Sequence, residues 1–191
     1  MKTLRTAVLL LLFMILLTGV AYPLAVTGLA RVFFPRQAAG SILYKDGQPV
    51  GSALIGQNFS GPGYFHGRPS AAGQGYDAAS SGASNLGPTD KALLNQIARR
   101  AAEVRQENGL SPKAPVPADL VTASGSGLDP DISPASAFLQ VPRVAAARHL
   151  PVEAVQKLVQ SHIQGPELGF LGEPRVNVLQ LNLDLDKMAG H

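Results

Sequence analysis

The sequence predicts an α+β protein: a single N-terminal transmembrane helix followed by one mixed α/β soluble domain. Three observations lead there. Between Arg5 and Arg31 lie 25 residues without a charge, most of them Leu, Val, Ala, Ile or Phe. At 1.5 Å per residue such a helix reaches roughly 37 Å, enough to cross a hydrocarbon core of about 30 Å. Beyond Phe34 no second stretch is long and apolar enough to span, and the remainder, about 155 residues, is the size of one domain. That remainder mixes hairpin signals with helical spacing. A secretory signal would end its apolar run after about 7–15 residues, whereas this one continues past Gly19-Val20-Ala21 to Phe33-Phe34.

The elements follow in order. Residues 1–6 form a short basic tail, 7–30 the transmembrane helix, and 37–191 the soluble domain. Pro23 should bend the helix or mark a packed site, because a backbone bond lost in lipid needs a neighbour. Ser41–Tyr44 and Val50–Ile55 flank Asp46-Gly47, a strong hairpin signal, and Pro49 places the second strand at an edge. Thr89 caps a helix from Asp90 to about Glu107, with Leu93, Ile97, Ala101 and Val104 on one face and Gly109 after its end. Ser133-Pro134 opens a second helix that Pro142 should interrupt or kink. Pro151 opens a third, carrying Val152, Val155, Val159 and His162 before Gly165. Finally Leu179, Leu181, Leu183 and Leu185 alternate with polar residues, the pattern of a half-buried strand.

Charge narrows the partners. The sequence pI is about 9.4, yet Lys2, Arg5, Arg31 and Arg36 flank the apolar run. From Gln37 onward 12 Lys/Arg face 13 Asp/Glu, a formal net charge of −1. The excess positive charge therefore sits where it can meet anionic membrane lipid, and no basic stripe remains for nucleic acid. The positive-inside count is nearly balanced, but a short basic tail before a first helix usually stays in the cytoplasm. That places the N-terminus inside and the soluble domain outside the cytoplasm. Cysteine is absent, which excludes disulfides and thiolate metal sites.

Two segments resist a plain description. Residues 60–88 number 29, of which 15 are Gly, Ser or Pro, yet they hold Tyr64, Phe65, Arg68 and Tyr76. A flexible linker would lack the aromatics, and loops this long often bind something. The second segment, Thr122 to Pro130, is rich in small and hydroxyl residues, as a turn-rich connector also would be. Chemical motifs are mostly missing. No lysine follows a glycine, so there is no phosphate-binding loop, and Gly125-Ser126-Gly127 has the wrong spacing for a serine-hydrolase elbow. His66, His149, His162 and His191 are scattered, without metal-ligand spacing. Ser124, Ser126, Asp129 and His149 could supply a nucleophile, acid and base, although hydroxyls in Gly-rich turns are commonly structural. A membrane-anchored extracytoplasmic hydrolase using these serine-rich loops is thus the competing class.

Several long blocks, in one order, carry a resemblance. They are Ser52-Ala-Leu-Ile-Gly-Gln-Asn-Phe59, Gly63-Tyr-Phe-His-Gly-Arg-Pro-Ser-Ala71, Ser81-Gly-Ala-Ser-Asn-Leu86 and Val116 through Pro130. Ile132-Ser-Pro134, Gln140-Val-Pro-Arg-Val-Ala145 and Val176-Asn-Val-Leu-Gln-Leu-Asn182 follow. With the single anchor, they closely resemble the C subunit of the Kdp-type potassium-transporting P-type ATPase of bacteria, over essentially the whole chain. Ala83 stands where a second glycine is expected and Asp131 where the family often has His or Asn, which bears only on local loop geometry.

The resemblance implies an accessory subunit without catalysis of its own, in the bacterial inner membrane. Its partners would be a P-type ATPase subunit, a channel-like potassium-binding subunit and a small single-span subunit of a high-affinity, ATP-driven potassium importer. The chain lacks both the Asp-Lys-Thr-Gly-Thr phosphorylation motif and a Thr-Val-Gly-Tyr-Gly filter. The resemblance further implies a catalytic chaperone that raises the pump's ATP affinity, with Leu54–Phe59 likened to a nucleotide-contacting signature. ATP would then be met through the pump subunit, with no cofactor bound tightly; an outward-facing domain would instead dock on the channel subunit. Candidate partner or nucleotide contacts are Gln57, Phe59, Tyr64, Phe65, Arg68, Ser70, Ser84, Asn85, Ser124, Ser126 and Asp129. No metal site or catalytic residue is expected.

Overall fold

The computed structural model describes residues Met1–Met188, which form two compact units divided between Ile42 and Leu43. In the first, α1 (Lys2–Leu16), a π-helical stretch (Leu17–Ala21) and α2 (Tyr22–Phe33) run as one helix of 32 residues. Its mean hydropathy of 2.4 and its length make it the one helix, among the described residues, able to cross a membrane. The π stretch accounts for Pro23. A proline cannot donate to the preceding turn, and here the ladder widens just before it, with the Tyr22 N–H reaching back to the Leu17 carbonyl. The Thr18 hydroxyl adds a 2.7 Å bond to the Met14 carbonyl. The unit ends with a single helical turn, α3 (Pro35–Ala38).

From the boundary onward the chain folds as the Asp-Gly pair predicts. β1 (Ile42–Lys45) and β2 (Gln48–Ser52) form a hairpin whose Asp46 and Gly47 take φ +52° and +77°, the backbone of a type I′ turn. A long irregular segment then leads to α4 (Lys91–Glu107). Its N-cap is Asp90 rather than Thr89: the carboxylate accepts the Ala92 N–H at 2.7 Å. No residue of α4 is fully buried, so its apolar face is only half covered.

The core lies further on. β3 (Asp131–Ile132), β4 (Ile163–Gln164) and β5 (Arg175–Asn177) form an antiparallel sheet in the order β3-β5-β4, with Val176 opposite both Ile132 and Ile163. Against it pack α5 (Pro134–Arg148) and α7 (Val178–Met188), and α6 (Val152–Ser161) packs on both of these helices. Val141, Val144, Val155, Val159, Val176, Leu181 and Leu185 are fully buried together with Phe65. Pro142 does not interrupt α5. It sits on the exposed face, where water can take the carbonyl bond that its ring forfeits.

The expected strand over Leu179–Leu185 is instead α7. Its buried residues are Val178, Leu179, Leu181, Asn182, Leu185 and Asp186, a period of 3.6 rather than 2. Two of these are polar, so the leucines seemed to alternate with a wet face. Leucine is in any case a strong helix former, and Asn177 caps the helix by accepting the Gln180 N–H at 3.1 Å.

Candidate functional site

The 29-residue loop is ordered, and amide side chains order it. Asn182 on α7 accepts the Phe65 N–H at 2.8 Å and donates to the Phe65 carbonyl at 2.9 Å. Gln140 on α5 does the same for His66, at 2.7 and 3.1 Å. Two consecutive residues are thus held as if by a neighbouring strand. Arg143 donates to the Pro62 and Tyr64 carbonyls, and Arg148 to that of Gly63. The Arg148 guanidinium also lies 4.4 Å over the Tyr64 ring and pairs with Asp186 at 2.8 Å. Lys45 meets the other Asp186 oxygen at 2.8 Å. Burial pushes the Asp186 carboxyl up, but the hydrogen bonds from Lys45 and Arg148 outweigh it and hold the group below its ordinary value.

Downstream, residues 67–82 are laced to Thr122–Asp129. Arg68 pairs with Asp129 at 2.9 Å and reaches the Thr122 and Ala123 carbonyls. Ser70 donates to the Gly127 carbonyl at 2.6 Å while accepting the Tyr76 and Ala72 N–H groups. The Tyr76 hydroxyl returns to the Arg68 carbonyl at 2.6 Å; burial first, then Asp129, pushes its pKa up to about 12 against the opposing charge of Arg68. The Ser126 carbonyl takes the Gly82 N–H and the Ser81 hydroxyl, both at 2.9 Å. Glycine at 127 is required twice over. Its φ is +67°, and a Cβ there would stand 2.6 Å from the Ala72 nitrogen.

A cleft of about 370 Å³ opens beside this junction, bounded by Phe59, His66, Arg68 and Tyr76 on one side and by Arg100, Glu103 and Glu107 of α4 on the other. Its charges cancel. Arg68 is turned to Asp129, the Arg100 guanidinium donates to the Val121 carbonyl at 3.2 Å, and Glu107 lies 3.5 Å from His66 Nδ1.

The predicted site residues therefore separate into groups. Arg68, Ser70, Ser124, Ser126 and Asp129 come together in the loop junction. Phe59 packs against the core 5.5 Å from Tyr64. Phe65 is fully buried in the core, so it braces the loop from inside and offers no surface to a partner. Gln57 donates to the Val50 carbonyl at 2.8 Å and pins the end of β2. Ser84 and Asn85 are exposed. Sequence reasoning missed Gln140, Arg143, Asn182 and Asp186; the sole available signal was that polar residues recur on otherwise apolar helical faces.

The serine, aspartate and histidine considered for a nucleophilic site do not assemble. Ser126 Oγ accepts the Leu128 N–H and lies 3.5 Å from Ser124 Oγ, while Asp129 is committed to Arg68 and to the Asp131 N–H. His149 is exposed at the left-handed C-cap of α5 and makes no side-chain hydrogen bond among the described residues. Among the described residues a Ser–His–Asp adjacency occurs at the end of α6, where Ser161 Oγ and His162 Nδ1 both point at the Leu158 carbonyl and Nε2 meets Asp184 at 2.9 Å. That arrangement closes a helix end. No group of three or more potential metal ligands occurs among the described residues, and His191 lies outside them.

Comparison with known proteins decides the family. The family model described as KdpC, K+-transporting ATPase, c chain, matches residues 4–187. The chain belongs to the KdpC family. It is 57% identical to the potassium-transporting ATPase KdpC subunit of Acidobacterium capsulatum over 98% of this chain and 100% of that one. The KdpC subunits of Gemmatimonas aurantiaca, at 57% over 99% and 94%, and Mycobacterium bovis, at 52% over 98% and 99%, are similarly alike. A KdpC-family chain is a membrane subunit of a potassium-transporting ATPase complex, and the single apolar helix fits that setting.

Proposed function

We propose that this chain is a non-catalytic accessory subunit of an ATP-driven potassium importer, needed to assemble and stabilise it. Its partners are a P-type ATPase subunit, a channel-like potassium-binding subunit and a small single-span subunit. The N-terminus is cytoplasmic, the helix crosses the bacterial inner membrane, and the soluble domain lies outside.

One observation carries this reading. The polar groups that a hydrolase or a nucleotide site would need are engaged within the chain: Ser70 on the Gly127 carbonyl, Ser126 on the Leu128 N–H, Arg68 and Asp129 on each other. The adjacent cleft has no surplus positive charge for a triphosphate. A catalytic-chaperone effect on ATP affinity therefore acts at a distance, through contacts that differ between two conformations of the pump.

The test compares the complex with and without this chain. Omission should raise the ATP concentration needed for half-maximal hydrolysis or dissociate the complex, while the chain alone shows no turnover. Hydrolysis by the isolated chain that is lost in Ser126→Ala, or an unchanged complex in its absence, would overturn the proposal and restore the anchored hydrolase.

A further inference from the structure

Between β4 and β5 the chain runs out into a tongue, residues 165–174. Glu167 and Leu171 exchange both backbone hydrogen bonds at 2.9 Å, and the tip is tied by Gly169 N–H to the Pro166 carbonyl and Phe170 N–H to that of Glu167. It is a built turn, and it holds apolar side chains out to solvent. Leu168 is 82% exposed, Phe170 74% and Leu171 50%. The first two are the most exposed large apolar side chains described from Leu43 onward. Leu168 also sits at φ +53°, where glycine or asparagine would be less strained. Local stability disfavours this leucine twice over, for its exposure and for its backbone, and such a conflict is characteristic of functional positions.

We propose that the tongue inserts into an apolar pocket with a cationic rim on a partner chain of the transport complex; the inference rests on the accessory-subunit reading. Charge chooses this occupant. Glu167 and Glu173 stand on either side of the exposed apolar tip, and the neighbouring Arg175, shared between Glu167 at 2.9 Å and Asp131 at 3.3 Å, leaves these three acids in formal excess over it. An anionic membrane surface would repel that acidic flank, and a second copy of the chain would bring like acids together. Size fixes the role. Three side chains fall short of the roughly 800 Å² per partner that a free-standing interface needs. The tongue therefore acts as a lock within an assembly whose members the membrane brings close but does not by itself hold together.

The tagged full-length chain, purified in mild detergent from potassium-starved cells, tests this beside Leu168→Gly/Phe170→Ser, which relieves the left-handed strain. The double variant should keep its melting temperature yet recover partner chains at about one tenth of the wild-type level or less, as for a lost interface anchor. Equal recovery overturns the inference and leaves the accessory reading standing. If the wild type brings no partner chains, both fall. Should the double variant prove unstable, Glu173→Cys offers the only thiol in the chain for a polarity-sensitive dye. In nanodiscs of phosphatidylethanolamine and phosphatidylglycerol, a blue shift that requires the partner chains supports the lock. A shift in lipid alone, or none with partners, refutes it.

Discussion

Replacing Asn182 with leucine should release the long loop from the core. Asn182 is 1% exposed and Phe65 is fully buried, so water cannot substitute for the two bonds, 2.8 and 2.9 Å, that join them. Leucine has nearly the same volume but strands one buried N–H and one buried carbonyl, at about 1–3 kcal/mol each. Its better burial offsets part of that, leaving a net loss of about 2–4 kcal/mol. Gln140 cannot compensate, because it is already engaged with His66. For a chain of this length each kcal/mol lowers the melting temperature by about 2–4 °C, so a fall of roughly 5–15 °C is expected. The assay is a thermal melt of the full chain in detergent, joined to hydrogen exchange at the Phe65 amide. A shift below about 2 °C with the amide still protected would show that the loop is held elsewhere and that the amide clamp is incidental.

Three further outcomes are expected. Asp186→Asn should cost about 2–3 kcal/mol at neutral pH by weakening charge-assisted bonds to Arg148 and Lys45. Because the folded carboxyl lies below its ordinary 3.8, that stabilisation is complete above this value and lost as pH falls through the folded pKa. Melts of wild type and variant should therefore converge in acid; Asp131, whose carboxyl burial pushes up, titrates with the opposite sign in both proteins and leaves their difference unchanged. Gly127→Ala should destabilise by about 2 kcal/mol or more, given its positive φ and the Ala72 nitrogen; Gly125→Ala, with open space around it, should shift a denaturant midpoint little. Ultraviolet titration should show a phenolate step near pH 12 that disappears in Tyr76→Phe, which also forfeits about 1 kcal/mol with the bond to Arg68.

The parts legible in the sequence were those that local chemistry dictates. Asp46-Gly47 specifies a turn whatever surrounds it, and a charge-free run of 25 residues has few other uses. Composition also showed that residues 60–88 were no plain linker, since aromatics and Arg68 stand among the glycines. How they are held was not legible. Phe65 meets Asn182 across 117 positions and His66 meets Gln140 across 74, and nothing local marks either pair. The same fact misdirected the reading of α7. Asn182 and Asp186 point inward because they serve the loop and Arg148, and polar residues turned inward imitate the wet face of a strand. At the candidate site the sequence singled out residues 60–88 and 122–130, but it could not tell that polar groups of the two segments are occupied with one another.

That occupancy bears on how such a subunit could act. A bound partner shifts a conformational equilibrium only by the difference between its affinities for the two states. A Gly- and Ser-rich loop left free would adapt to both states and bias neither. Here the amide clamps on Phe65 and His66, the Arg148–Asp186–Lys45 cluster and the Arg68–Asp129 pair fix the loop before any partner arrives. Ordering a loop of this length costs about 1–2 kcal/mol per residue, and that cost is met on folding rather than on binding. A preformed surface can fit one state of a pump better than another. In the proposed role, then, rigidity is the functional property: variants that loosen the loop without touching the tongue should still assemble with partners, yet lose their effect on the ATP dependence of the complex.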